Sequence, residues 1–239
     1  MKKLIGILIL LVSTTFTFAQ KKVYFTEPGE LILQFTQTDI EGNTAKNGIR
    51  ASYFTNWPCY MNINFGNHFG LMPGISLKNI GIKTKDEQID TTTYKTIKRR
   101  IFAAGASFAA KFGSFYDKGF WCYAGAGIDW AFHYRQKLYE TSKKVTKEGE
   151  WLSKATPSFI PSVFLGIQTP ISLNIKATYY PNDFLNKDYN GPLGDFGSIA
   201  KSQLFTLSFS IILKEKFSAN SSNDPELTPP SRKEKTIEL

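Results

Sequence analysis

Apolar residues recur along this chain with a period of two. From Phe120 to Arg135 the even positions, Phe120, Cys122, Ala124, Ala126, Ile128, Trp130, Phe132 and Tyr134, are apolar or aromatic. The odd positions, Trp121, Tyr123, Gly125, Gly127, Asp129, Ala131, His133 and Arg135, pass from aromatic through small to polar and charged. Period two is the signature of a β-strand whose faces meet different surroundings. The run is longer than the roughly five or six residues usual for a soluble strand. A long strand with one continuous apolar face is what a transmembrane barrel requires.

The same alternation recurs over Leu31–Gln37, Ile49–Phe65, Leu71–Lys83, Arg99–Phe112, Phe159–Gln168, Ile171–Tyr180 and Leu204–Leu213, which makes eight strands in all. Between Leu71 and Lys83 the apolar positions change from odd to even at Ile80 and Ile82, which predicts a β-bulge near Asn79. Pro58 and Pro161 fall inside strands and each removes a ladder donor. Connection lengths alternate. Gly66–Phe69, Gly113–Lys118 and Thr169–Pro170 are short; Thr38–Gly48, Thr84–Lys98, Leu138–Ser158 and Pro181–Gln203 are long. Short periplasmic turns and long outer loops have this arrangement. A soluble lipocalin-like barrel would carry its large apolar residues inward; here they share one face, and Gly, Ala and Ser enrich the other. The prediction is an all-β fold, an eight-stranded antiparallel up-and-down transmembrane β-barrel over residues 30–213, in an outer membrane with both termini periplasmic.

The ends fit export. Lys2 and Lys3 precede the apolar run Leu4–Val12, and Thr17-Phe18-Ala19 offers small residues for cleavage before Gln20. That run is shorter than the roughly 20 residues a membrane helix needs. Residues 1–19 therefore read as a cleaved signal peptide, 20–29 as a periplasmic segment before the barrel, and 214–239, polar with Pro225, Pro229 and Pro230, as a disordered periplasmic tail. Loss of the signal takes two lysines from a formal charge of +9, leaving +7, a mild preference for anionic surfaces. The cations form no nucleic-acid stripe. The two cysteines, Cys59 and Cys122, fall on the apolar face of separate strands and read as lipid-facing thiols rather than a disulfide.

Candidate chemistry lies on the other face. Arg50, Lys78, Arg99, Lys111, Asp129, His133, Arg135 and Lys176 form the expected lumenal polar cluster. An eight-stranded barrel is just wide enough for side chains to fill, so the cluster reads as a plug of hydrogen bonds and ion pairs, with Lys78 or Arg99 as the partner of Asp129. The alternative is a narrow channel that favours anions. A lipid-processing enzyme would need His, Ser and an acid together. His68 falls in a turn, and His133 and Asp129 differ in height, so no catalytic residue is assigned. No metal or cofactor motif is found, because no His, Cys and carboxylate cluster has ligand spacing and Gly125-Ala126-Gly127 lies within a strand. The expected partners are outer-membrane lipid and lipopolysaccharide, the latter through Lys143, Lys144 and Lys147 of a long loop, and an envelope or secretion protein.

The chain also resembles outer-membrane β-barrel proteins of Bacteroidota of the porin-family or PorT-like type. The residues that carry the resemblance are Phe18-Ala19-Gln20, Asn67-His68-Phe69-Gly70-Leu71, Lys98-Arg99-Arg100, Phe159 through Gln168 (FIPSVFLGIQ) and Phe184-Leu185-Asn186-Lys187-Asp188-Tyr189. The resemblance implies fold and compartment, and a structural, surface-interaction or secretion-accessory role. None of these motifs is catalytic.

Overall fold

The computed structural model describes residues 21–211 except 42, 54, 90, 91, 116–118, 141 and 142. The expected signal peptide and C-terminal tail lie outside the described residues. Those described are all-β: β1 (Lys21–Thr26), β2 (Glu30–Ile40), β3 (Asn43–Thr44), β4 (Lys46–Asn47), β5 (Arg50–Ser52), β6 (Trp57–Phe65), β7 (Phe69–Ile89), β8 (Thr92–Gly113), β9 (Trp121–Glu140), β10 (Lys143–Trp151), β11 (Phe159–Gln168), β12 (Leu173–Tyr180), β13 (Asn190–Gly191), β14 (Gly194–Asp195) and β15 (Ile199–Ile211). Thirteen form one antiparallel sheet in the order β1-β6-β7-β8-β9-β11-β12-β15-β2-β3, with β5 on β2, β10 on β9 and β4 on β7; β13 and β14 pair with each other. β2 runs beside the last strand from Glu30↔Ser210 to Ile40↔Ile199. It also pairs with β5 through Ile32↔Ser52, Leu33↔Ala51 and Gln34↔Arg50.

The strand count exceeds the expected eight for two reasons. The second expected strand, Ile49–Phe65, is interrupted at 53–56 between β5 and β6, and a further strand, β1, precedes the first, separated from β2 by residues 27–29. β1 lies within the segment expected to precede the barrel, yet it pairs with β6 from Lys21↔Phe65 to Thr26↔Tyr60. At the break the Asn56 side chain replaces ladder bonds: its Nδ2 donates to the carbonyl of Ser52 at 2.9 Å, and its Oδ1 accepts from the backbone N–H of Asn79 at 2.9 Å. Pro58 sits between the two registers, where its missing N–H removes no bond to β1 or β2. Secondly, the long connections are not loops. β7 continues to Ile89 and β8 starts at Thr92; β9 continues to Glu140 and returns as β10.

Side-chain burial divides the sheet by height. Near the Gly66 and Gly113 turns, and for some ten residues along each strand, the apolar face is the exposed one. Trp57 is 71% exposed, Ile75 67%, Leu165 62% and Ile211 64%, while Asn62, Asn64, Lys111, Asp129, Asn174 and Lys176 are buried on the opposite face. Soluble monomers rarely expose a contiguous apolar surface of this kind.

Farther from those turns the pattern reverses without a change of phase. The β7–β8 register is unbroken from Phe69↔Phe112 to Lys85↔Thr96, so the bulge expected near Asn79 does not exist. Ile80 and Ile82 stay on the face of Lys78 and are fully buried. There they join Ile101, Ala103, Tyr134, Ile160, Phe184, Leu185, Leu193 and Phe196 in an apolar core. Four of these come from the last long connection, which folds back onto the strands: the N–H of Phe184 donates to Ser202 O at 2.8 Å and that of Asn186 to Ala155 O at 3.0 Å.

The register slip is in β9 instead, where Phe102↔His133 is followed directly by Ala103↔Ala131. Phe132 is the extra residue of this bulge. Beyond it Tyr134, Gln136 and Leu138 occupy the buried face. His133 and Arg135, expected inside, are therefore turned to the outer face.

Candidate functional site

The buried face assembles its polar residues in four groups along its length. Nearest the short turns, Lys111 is fully buried. Its Nζ donates to Asn62 Oδ1 at 2.8 Å and to the Tyr24 hydroxyl at 3.3 Å. Three rings surround it, those of Phe115, Tyr24 and Trp121, with centroids 4.9, 5.0 and 5.0 Å from Nζ. An ammonium taken from water needs such oxygens and π-faces.

At mid-height, Lys176 Nζ lies 2.5 Å from Glu30 Oε1 and 2.8 Å from the Tyr60 hydroxyl. β12 and β2 supply the two charges from either side of β15, and β6 supplies the tyrosine. Beside them Lys78 Nζ donates to Asp129 Oδ1 at 2.9 Å and Oδ2 at 3.1 Å. The Tyr123 hydroxyl donates to Asn174 Oδ1 at 2.8 Å. What space remains among Glu30, Tyr60, Lys78, Lys176 and Tyr180 is a cavity of about 20 Å³, room for about one water.

Next, Arg50 is held by uncharged oxygens. Its guanidinium donates to Gln34 Oε1 at 2.6 Å, Asn79 Oδ1 at 2.5 Å and Asn79 O at 3.2 Å. Gln34 Oε1 also accepts from the N–H of Gly81 at 2.6 Å. The group thus ties β2, β5 and β7 together at the point where the ladder is interrupted.

The fourth group is farthest from the short turns. Arg99 makes a two-pronged pair with Glu87, at 2.5 Å and 2.9 Å, and the Thr84 hydroxyl donates to the same carboxylate. Arg99 Nε donates to Gln136 Oε1 at 3.2 Å, and Gln136 Nε2 donates to Leu193 O at 3.2 Å. Phe196 stacks under the guanidinium at 5.4 Å.

Of the eight candidate residues, Arg50, Lys78, Arg99, Lys111, Asp129 and Lys176 point to the buried face, in four separate groups rather than one cluster. His133 and Arg135 do not. His133 packs on Trp151 at 4.5 Å and Phe102 at 5.8 Å, and the Arg135 guanidinium lies 5.7 Å from the Phe102 ring. The strand bulge separates His133 from Asp129 by face as well as height. Arg99, one of the two expected partners of Asp129, takes Glu87 instead.

Glu30 and Glu87 are the functional residues that alternation missed. Glu30 is in phase with Ile32 and Gln34 but stands at the first residue of β2, outside the alternating run. Glu87 follows Asp86, whose φ of 50° is left-handed, so no period predicts its direction. Among the described residues no group of three or more His, Cys, Asp or Glu side chains could hold a metal ion.

No family model matches the chain, so that comparison lends nothing to the Bacteroidota resemblance, and no curated protein matches it either. Among solved structures it is similar to Ail, the attachment invasion locus protein of Yersinia pestis, solved in complex with the heparin analogue sucrose octasulfate. Identity is 12%, the match covers 78% of this chain and 97% of that one, and the TM-score is 0.32.

Proposed function

We propose that the chain is an outer-membrane β-barrel of eight transmembrane strands with a filled lumen, serving the envelope as a structural or surface-interaction protein. The observation that carries this reading is the inverted burial. Large apolar side chains cover the outside of the part near the short turns, while ion pairs and amides fill its inside. Water would oppose that arrangement; lipid favours it. Counting β1 with β2 and β5 with β6 as single interrupted strands gives eight. The β15–β2 and β2–β5 registers support their closure into a ring.

The contents of the lumen favour a plug over a channel. Glu30, Glu87 and Asp129 each hold a cation, the cavity among the mid-height groups takes about one water, and Phe184, Leu185, Leu193 and Phe196 pack over the far end. The reading is non-enzymatic, since the one His–Asp combination that alternation offered is on two faces. Lipid of the outer membrane is the expected neighbour, with an envelope or secretion protein as the partner class for the exposed loops.

Fractionation tests the compartment. The protein is expected in outer membranes and to migrate faster unboiled than boiled. Recovery in the soluble fraction would reject the reading. In planar bilayers the purified protein is expected to be silent, and steady single-channel steps would replace the plug with the anion channel.

A further inference from the structure

On the outer face of β7, β8, β9 and β10 the cross-strand registers stack three rows. The first is aromatic, Phe102, His133 and Trp151, and ends beside Asn79, whose side chain is buried against Arg50. The second, two residues farther from the short turns, is Gly81, Arg100, Arg135 and Gly149. The third is Lys83, Lys98, Lys137 and Lys147, four lysines side by side on four strands. At the usual strand spacing the lysine row is about 14 Å wide, and the rows are about 7 Å apart.

Like charges directly opposite on a sheet destabilise it, and here only rings lie against them, Tyr139 against Lys98 at 4.9 Å and Phe102 against the two arginines. Among the described residues none of the six cations pairs with a carboxylate. Four acids of the same strands are committed elsewhere: Glu87 to Arg99, Asp86 to Lys46, Asp129 to Lys78, and Glu150 to the Ser153 and Tyr189 hydroxyls; Glu140, the last residue of β9, is in phase with Leu138 rather than with Lys137. Glu148 pairs with buried Gln136 and so belongs to the opposite face. Arg100 Nε is buried with no hydrogen-bond partner. The guanidinium groups of Arg100 and Arg135 flank Phe102 at 5.3 and 5.7 Å, which fixes both just beyond the aromatic row. Partial burial, then the neighbouring cations, pulls the pKa of Lys83 and of Lys137 below the ordinary lysine value.

We propose that this face binds the phosphate groups on the sugar headgroups of lipids in the outer leaflet. The proposal rests on the barrel reading, which places Trp130, Phe132 and Trp151 at the membrane surface. The arginine row then begins at headgroup depth, where phosphates are presented in a plane. A row of four point charges topped on a pair of planar guanidinium groups suits several phosphates on one surface, rather than a single free anion. Lys144, paired with Tyr139 beyond the third row, extends the same surface.

The test uses the full-length protein in neutral detergent micelles. Binding of bisphosphorylated lipid A, of the same lipid stripped of phosphate, of pyrophosphate and of heparin is measured by microscale thermophoresis. Wild type is expected to bind bisphosphorylated lipid A at least about tenfold more tightly than the stripped lipid. The variant K83Q/K98Q/K137Q/K147Q is expected to lose that preference, and K154Q/K201Q, whose lysines lie off the face, to keep it. Equal binding of the two lipids, or an unchanged preference in the quadruple variant, overturns the proposal. Pyrophosphate bound as tightly as lipid A overturns the lipid source, as does heparin bound while lipid A is not. Heat-modifiable migration of each variant shows that its barrel is intact. A wild-type protein that never shows it, and stays soluble without detergent, fails the barrel reading itself, independently of which ligand is bound.

Discussion

Lys78 on β7 reaches Asp129 on β9 across the intervening strand, donating to both carboxylate oxygens at 2.9 and 3.1 Å. Asp129 is directly paired with Gly105 of β8, and a Cβ at that glycine would overlap Asp129 Oδ1 and stand 2.8 Å from Ser76 Oγ. The pair therefore depends on two charges and on a missing side chain between them.

Removing one charge leaves the other buried without its counterion. Asp129→Asn and Lys78→Met are each expected to cost about 3–5 kcal/mol. The double variant is expected to lose far less than the sum. Urea unfolding of micelle-embedded protein, followed by tryptophan fluorescence, measures all three. Additive losses would show that the two groups do not act as a pair.

Gly105→Val tests the space rather than the charge. The new side chain would displace Asp129 from Lys78, with a loss of about 2–4 kcal/mol in the same unfolding assay, between overpacking and a broken buried pair. Gly29→Ala is the control, because a Cβ there would meet nothing nearer than the Tyr53 hydroxyl at 4.0 Å and should cost less than about 1 kcal/mol.

The Lys78–Asp129 contact was readable from alternation because both residues lie on unslipped stretches of long strands. The reading failed where the surroundings, not the backbone, change. Ile80 and Ile82 look like a slip in register only if one face is assumed to stay polar throughout. In fact the polar face becomes an apolar core at that height, while Lys83 and Lys85 take over the outside. The true slip at Phe132 leaves no mark, since Phe132, His133 and Tyr134 are all ring-bearing residues that fit either face. That one extra residue moved His133 and Arg135 out of the expected cluster. The β9–β10 hairpin was hidden for a different reason. Lys143-Lys144 and Lys147-Glu148-Gly149-Glu150 carry few apolar residues, and the strand is held by its pairing with β9. Alternation detects burial, and a strand with little of it reads as loop.

The Arg99–Glu87 pair ties the far ends of β7 and β8 together, beyond the apolar belt. Burial alone would raise the Glu87 carboxyl, but the Arg99 guanidinium and the Thr84 hydroxyl outweigh it and hold Glu87 below the usual carboxylate range. A depressed folded-state pKa adds stability above the unfolded value of about 4.3, and that contribution is lost as pH falls through the folded value. Proteolysis of the β7–β8 hairpin is expected to be slow and flat from pH 8 to about 5 and faster in stronger acid. Glu87→Gln should be cleaved faster at neutral pH and show a weaker pH dependence. Cleavage of wild type that accelerates towards alkaline pH instead would contradict the pair's role.

The cysteines report directly on what touches the apolar face. Cys59 and Cys122 are free, the second exposed on the outside of β9 and the first half-buried on β6. Their strands are separated by β7 and β8, and Cys59 faces Ile75 while Cys122 faces Phe112, so side chains cannot span the gap to form a disulfide. If the surrounding belt is in lipid, a charged maleimide added to intact outer membranes should label neither thiol, because a charged reagent does not enter the hydrocarbon layer. A bilayer-soluble nitroxide quencher should dim a fluorophore placed at either position after labelling of unfolded protein and refolding into vesicles. Rapid labelling of Cys122 by the charged reagent in membranes would put water against Ile128 and Trp130, and would remove the physical basis for reading this face as the one that meets lipid.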